Sequence, residues 1–187
     1  MTNKYESFNL EIEDNIANII LSRPEQLNSM SRKFWVELPE ILEEVNRNSE
    51  IRVLIISSTG KHFCAGMDLS AFDNGVANIP KEKRPDNVRI GEALYRSAKE
   101  LQEYISKLEK IRVPVIAAIH GGCIGGAVDL VTACDIRLAT TDAFFCIQEI
   151  NIGMAADVGT LQRLPRIIPD SKTVSYTHLR AHETLSH

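Results

Sequence analysis

The stretch VPVIAAIHGGCIGGAVDLVTACDIRLAT, residues 113–140, decides how the chain is read. VPVIAAI is a nearly continuous apolar run rich in Val and Ile, which suits a parallel strand covered on both faces. Four glycines follow within residues 121–126, a helix is expected to open from them, and DIRLAT reads as a further short strand. IRVLIISS, residues 51–58, repeats the buried-strand composition upstream, and AFFCI, residues 143–147, is another short strand downstream.

Working outward, FNLEIED and IANIILSR flank the turn-prone pair Asp14-Asn15 and predict an antiparallel hairpin. RPEQLNSM, residues 23–30, breaks that pattern, and Ser31 is placed to cap a helix. Phe34, Trp35, Leu38, Ile41, Leu42 and Val45 then recur at helical spacing, with a kink or early break expected at Pro39. FDNGVANIPKEKRPDN, residues 72–87, is a polar loop before a long helix striped by Ile90, Leu94, Leu101, Ile105 and Leu108. Strands and helices in this order point to an α/β fold.

The 187 residues suit one domain, and 44% apolar with 25% charged residues implies a folded globular protein. A net charge of −4 leaves no electrostatic footprint for nucleic acid or an anionic membrane. No apolar run reaches the length of a membrane span, and the first residues lack a secretory or transit character. Cys64, Cys123, Cys134 and Cys146 form no C-x-x-C pair and sit in apolar settings, so buried reduced thiols are expected rather than a zinc site. The last fourteen residues, VSYTHLRAHETLSH (174–187), lack strand or helix periodicity and are similar to a translated sequencing adapter. They are expected to be a non-native tail, leaving residues 1–173 as the domain.

Three acids interrupt this apolar chain: Asp129, Glu149 and Asp157. A buried carboxylate costs several kcal/mol unless it is paired, hydrogen-bonded or protonated. Glu149 is expected to end a strand, with Asp157 following through a loop that contains Gly153. Structural roles remain open for them, as a helix cap at Asp157 or a buried ion pair with Arg137 or Arg163; a Mg²⁺ site is weakly supported. GKHFCAGMDLSAF (60–72) and HGGCIGGAVDL (120–130) each follow a strand, and each can present free backbone amides. Neither is a dinucleotide fingerprint or a Walker loop. Two such turns suggest an oxyanion hole built from separate loops, although tight strand–helix packing would also use these glycines.

FCAGMDL, PVIAAIHGGCIGGAVDLVTACDIRLAT and DAFFCIQEINIGMAADVGTLQRLPRII together resemble the crotonase (enoyl-CoA hydratase/isomerase) superfamily. RPEQLNSM is similar to the turn that follows the family's first hairpin. The Asp129–Glu149–Asp157 set, with AADVGTLQRLP, is most similar to the Δ(3,5),Δ(2,4)-dienoyl-CoA isomerase subgroup; hydratases carry Glu at both of the first two positions. The resemblance implies a crotonase-like spiral of ββα units, with the family's C-terminal helical trimerisation region absent from this chain. It implies that the amides of Met67 and Gly126 hold the thioester oxygen, and that Ala65, Gly66, Met67, Asp68 and Leu69 help bind coenzyme A. Asp157 would be the base at C2, Glu149 the acid at C6, and Asp129 an orienting or charge-tuning group.

The resemblance further implies an acyl-CoA substrate in fatty acid β-oxidation and no cofactor beyond the substrate's own coenzyme A. A trimer or hexamer, and a mitochondrial or peroxisomal matrix, are the expected assembly and location. The alternatives are an enoyl-CoA hydratase, a Δ(3),Δ(2)-enoyl-CoA isomerase, or a non-catalytic acyl-CoA- or RNA-binding relative.

Overall fold

The structure is a computed structural model, and it describes residues 2–68 and 86–173. Residues 69–85, which include Leu69 and most of the polar loop before the long helix, and the tail at 174–187 lie outside the described residues.

Three strands open the chain: β1 (Thr2–Lys4), β2 (Phe8–Glu13) and β3 (Ile16–Leu21). β2 and β3 pair antiparallel with Phe8 opposite Leu21. The turn is the two residues Asp14 and Asn15, both at positive φ (49° and 65°). That geometry gives a two-residue hairpin loop the twist its strands require. β1, which the sequence reading lacked, adds to the outer edge of β2.

Helix α1 (Arg32–Arg47) starts at Ser31, whose hydroxyl accepts the Phe34 N–H at 3.3 Å. Its buried stripe is the expected one, and the helix runs unbroken through Pro39. Phe34, Leu38, Ile41 and Val45 are each almost wholly buried, so packing outweighs the one backbone bond that proline deletes.

The chain then builds β4 (Val53–Ser58), α2 (Asn87–Lys110), β5 (Val115–Ile119), β6 (Gly122–Ile124), α3 (Gly126–Thr132), β7 (Ile136–Ala139), β8 (Phe144–Cys146) and α4 (Thr160–Arg163). The main sheet has the order β1-β2-β3-β4-β5-β7, parallel from β3 onward, and β6 pairs with β8 in a small second sheet. β4 and β5 alternate between buried and half-buried positions, so their two faces are covered unequally rather than alike. In α2 only the carboxyl-terminal part of the expected stripe reaches the core. Ile105 and Leu108 are buried, whereas Leu94 is 66% exposed.

Two departures from the sequence reading matter for the site. The glycine-rich turn does not pass straight into a helix but first forms β6. Glu149 does not end a strand; it opens a 3₁₀ turn, Glu149–Ile152, beyond the end of β8.

Candidate active site

The loops after β4 and β5 both leave the carboxyl ends of parallel strands, where open α/β sheets place their ligands. Here the two loops are laced together. Phe63 donates its N–H to His120 O (2.9 Å), Cys64 to Gly122 O (3.1 Å), and Ile124 returns a bond to Cys64 O (3.0 Å). Gly66, at φ +87°, lies so close to β6 that an added Cβ would stand 2.7 Å from Ile124 O. A side chain there would force the loops apart.

The RPEQLNSM turn anchors this pair from outside. Asn28 is 2% exposed; its side chain accepts the Arg23 N–H and donates to Thr59 O (2.6 Å) and His62 O (3.0 Å). A buried amide satisfied in three directions fixes the turn against the end of β4. Arg23 and Ser29 hold the Asp68 carboxylate, at 3.7 Å and 3.4 Å.

Between the two loops and the 149–158 segment lies a cavity of about 180 Å³. Ala65, Gly66, Met67 and Gly126 line it, and so do Glu149 and Asp157. Asp68 is engaged with Arg23 and Ser29 instead, and Asp129 does not reach the cavity wall. Gln148, Ile152, Met154 and Val158 are lining residues the sequence reading passed over. Gln148 carried no signal beyond standing next to Glu149, and the other three only apolar character near the acids. A larger open groove, about 720 Å³, runs beside α1 among Glu40, Glu43, Arg47 and Lys107. Its wall is made of side chains from α1 and α2, and none of Asp129, Glu149 and Asp157 reaches it.

The amides of Met67 and Gly126 donate to no other backbone group among the described residues. Both residues border the cavity, one from each loop.

Glu149 is half-buried, with Oε2 buried and without a hydrogen-bond partner among the described residues. Burial, with the negative charges of Asp129 and Asp157 adding, pushes its pKa up from the ordinary 4.5 to about 7. Its Oε1 would stand 3.2 Å from a Cβ on Gly125, so the carboxyl rests against bare backbone at the start of α3. Asp157 is exposed. The main chain around it is clamped by α2: Gln102 donates to Asp157 O at 2.7 Å, and Arg163 donates to Val158 O and to Glu109.

Neither structural role considered for these acids is what the structure uses. Arg163 pairs with Glu109 at 2.7 Å, and Arg137 donates to main-chain carbonyls. α4 is preceded by Gly159 rather than capped by Asp157. The capping carboxylate comes from Asp129, whose Oδ1 accepts the Thr160 N–H at 2.6 Å. Asp129 thus ties α3 to the segment that carries Asp157. Among the described residues no group of three His, Cys, Asp or Glu is arranged to hold a metal ion. All four cysteines are free; Cys146 is half-buried and the other three are buried.

The enoyl-CoA hydratase/isomerase family model matches residues 11–183. The chain belongs to this family. A peroxisomal Δ(3,5)-Δ(2,4)-dienoyl-CoA isomerase of Arabidopsis thaliana is 44% identical over 83% of this chain and 55% of its own length. The mitochondrial Δ(3,5)-Δ(2,4)-dienoyl-CoA isomerase of Rattus norvegicus is 42% identical over 91% of this chain and 52% of its own. The chain therefore spans about half the length of these curated relatives. Among solved structures, an enoyl-CoA hydratase from Shewanella pealeana superposes with a TM-score of 0.80 at 25% identity, covering 93% of this chain and 61% of that one. The α/β architecture is that of the family.

Asp129 offers a stability test independent of turnover. It is 1% exposed, and burial raises its pKa from 3.8 to about 6, against the lowering influence of Thr160 and Arg163. Between those two values the folded state holds a proton that the unfolded state has lost. Stability from this group is therefore lost as pH rises through that window. Asp129→Asn keeps an oxygen for the Thr160 N–H and cannot ionise. Between about pH 4 and about pH 8 the stability difference should move in favour of the variant, by up to roughly 3 kcal/mol. Urea melts of both proteins at the two pH values measure it; a difference that does not change with pH would place the Asp129 charge elsewhere.

Proposed function

We propose that this site belongs to an isomerase that converts a 3,5-dienoyl-CoA to the 2,4-dienoyl-CoA by moving one proton from C2 to C6. The observation that carries the reading is one cavity lined by Glu149 and Asp157 together with Met67 and Gly126, whose amides donate to no backbone group among the described residues. The relatives named as dienoyl-CoA isomerases support it.

The thioester oxygen accepts from the Met67 and Gly126 N–H groups, which makes the C2 proton acidic. Asp157, exposed and able to exchange protons with water, removes it. The electron pair spreads through the two double bonds as a dienolate, with charge gathered on the oxygen where preorganised amides contribute most. Glu149, partly protonated near neutral pH, delivers its proton to C6. The double bonds then stand at C2 and C4, and exchange with water returns Glu149 and Asp157 to their starting states. Two acids are needed because C2 and C6 are too far apart for one carboxyl to serve both. Ile152, Met154 and Val158 supply apolar wall around the acyl chain, which disfavours attack by water. Asp129 acts through its bond to Thr160, holding the Asp157 segment. The chemistry needs no cofactor beyond the substrate's coenzyme A.

The relatives are named as peroxisomal and mitochondrial enzymes, which supports one of those compartments for this chain, with fatty acid β-oxidation as the pathway the reaction would serve. Assembly with further copies is supported by exposed Ile136 and Leu138 on β7, at the edge of the main sheet, and by exposed Phe144 and Phe145 on β8.

Incubation with 3,5-octadienoyl-CoA tests the reading. The product absorbs at longer wavelength because its diene is conjugated with the thioester. Formation of the 2,4-dienoyl product with no 3-hydroxyacyl-CoA is the expected result. A hydroxyacyl product would make the protein a hydratase, and no product would favour a binding role.

A further inference from the structure

Met30 is wholly buried between the two loops that carry the amide donors, and no role has yet been given to it. Its backbone forms a one-residue parallel bridge with Met67. The Met30 N–H donates to Gly66 O at 2.8 Å, and Met30 O accepts the Asp68 N–H at 3.1 Å. These bonds use the groups on either side of Met67. In extended chain, successive N–H groups point to opposite edges, so the Met67 N–H is directed away from Met30. The bridge thereby fixes the first donor's direction.

The side chain of the same residue meets the second donor. A Cβ built on Gly126 would stand 3.0 Å from Met30 Sδ and 3.9 Å from its Cε. The thioether is packed against bare glycine backbone at the first residue of α3, a residue that lines the cavity. Gly126 is not at positive φ, so its lack of a side chain is explained by this contact and not by backbone conformation. One residue thus holds both loops, the first by main-chain bonds and the second by the bulk of its side chain.

We propose that Met30 is a positioning residue that sets the separation of the Met67 and Gly126 amides. The proposal rests on the reading of those amides as thioester-oxygen donors. Such donors act when each lies about 2.7–3.1 Å from the developing oxyanion, and a displacement on the order of 1 Å can cost about a hundredfold in rate. An unbranched thioether suits the place because it fills a narrow gap between two backbones without demanding a fixed branch point.

The test combines turnover of 3,5-octadienoyl-CoA with the infrared stretch of ¹³C=O-labelled 2,4-octadienoyl-CoA bound to the protein. In wild type the bound carbonyl should stretch at lower frequency than the free thioester. Met30→Ala should lose about tenfold or more in kcat with KM changed less than about threefold, and most of the carbonyl shift should disappear. Met30→Leu, which keeps most of the volume, should restore both to within about threefold. Gly126→Ala should lose about tenfold as its methyl group meets Sδ, and Met30→Leu in the same chain should recover part of that loss by shortening the opposing side chain. This last pair carries the test if Met30→Ala does not fold.

Folded Met30→Ala with a wild-type carbonyl shift and kcat would overturn the spacer role, as would losses at residues 30 and 126 that simply multiply. A wild-type protein that binds the thioester without shifting its carbonyl would instead remove the oxyanion-hole reading, and the spacer role with it.

Discussion

Glu149→Gln is expected to lower isomerisation about 10²–10⁴-fold, the usual worth of a positioned acid, while exchange at C2 continues. The amide has nearly the shape of the acid but no proton to release to C6. Asp157 and the two donor amides are untouched, so the C2 proton can still be removed and returned. Asp157 is exposed, so a proton it holds exchanges with solvent before going back. In D₂O the variant should therefore incorporate deuterium at C2 of recovered 3,5-dienoyl-CoA while forming little 2,4-dienoyl product. Mass spectrometry of recovered substrate measures the first and absorbance the second.

The pH profile adds a sign. The Glu149 pKa is raised to about 7, so the donating form is lost as pH rises through that value, and wild-type kcat should fall on that side. The residual activity of the Gln variant should lack this fall. A variant that isomerises normally would make Glu149 structural.

How much of this was open to sequence depends on the range of the interaction. The hairpin, α1 and the parallel strands rest on local periodicity and turn chemistry, and all formed where Asp14-Asn15, Ser31 and the Val/Ile runs placed them. Proline was overweighted, because a local rule could not see how deeply the face around Pro39 is buried. Glycine was read as punctuation before a helix, whereas pairing with a distant strand, β8, turned residues 122–124 into β6. The three acids were conspicuous for their apolar surroundings, but their partners were not legible. The bond from Thr160 to Asp129 spans thirty-one positions, and the clamp of Gln102 on Asp157 spans fifty-five. Periodicity and spacing do not distinguish Asp129, turned to a helix start, from Glu149 and Asp157, which line the cavity; only the family resemblance set it apart, as an orienting group. Met30 ends the RPEQLNSM turn, yet its contact with Gly126 exists only once three loops have met.

Asp157→Asn should fail earlier on the same path. Asparagine keeps the size of the side chain, and the main chain at this position is held by Gln102 and the bonds of Arg163, so the segment should stay in place. What is lost is the base at C2. Isomerisation should fall by about 10²–10⁴-fold, as for Glu149→Gln, but deuterium uptake at C2 should fall with it. Glu149 cannot substitute, because near neutral pH it is partly protonated, and it serves the other end of the diene. The contrast between the variants carries more information than either rate. One separates proton removal from proton delivery, and the other prevents both. Binding of 2,4-dienoyl-CoA should survive in Asp157→Asn within about threefold, since the thioester donors and apolar wall remain. If the Asn variant kept C2 exchange at the wild-type rate, the base would have to be another group, and the two ends assigned to Asp157 and Glu149 would have to be reversed or abandoned. Equal loss of exchange in two folded variants would mean that the carboxyls act as one coupled pair rather than at separate carbons.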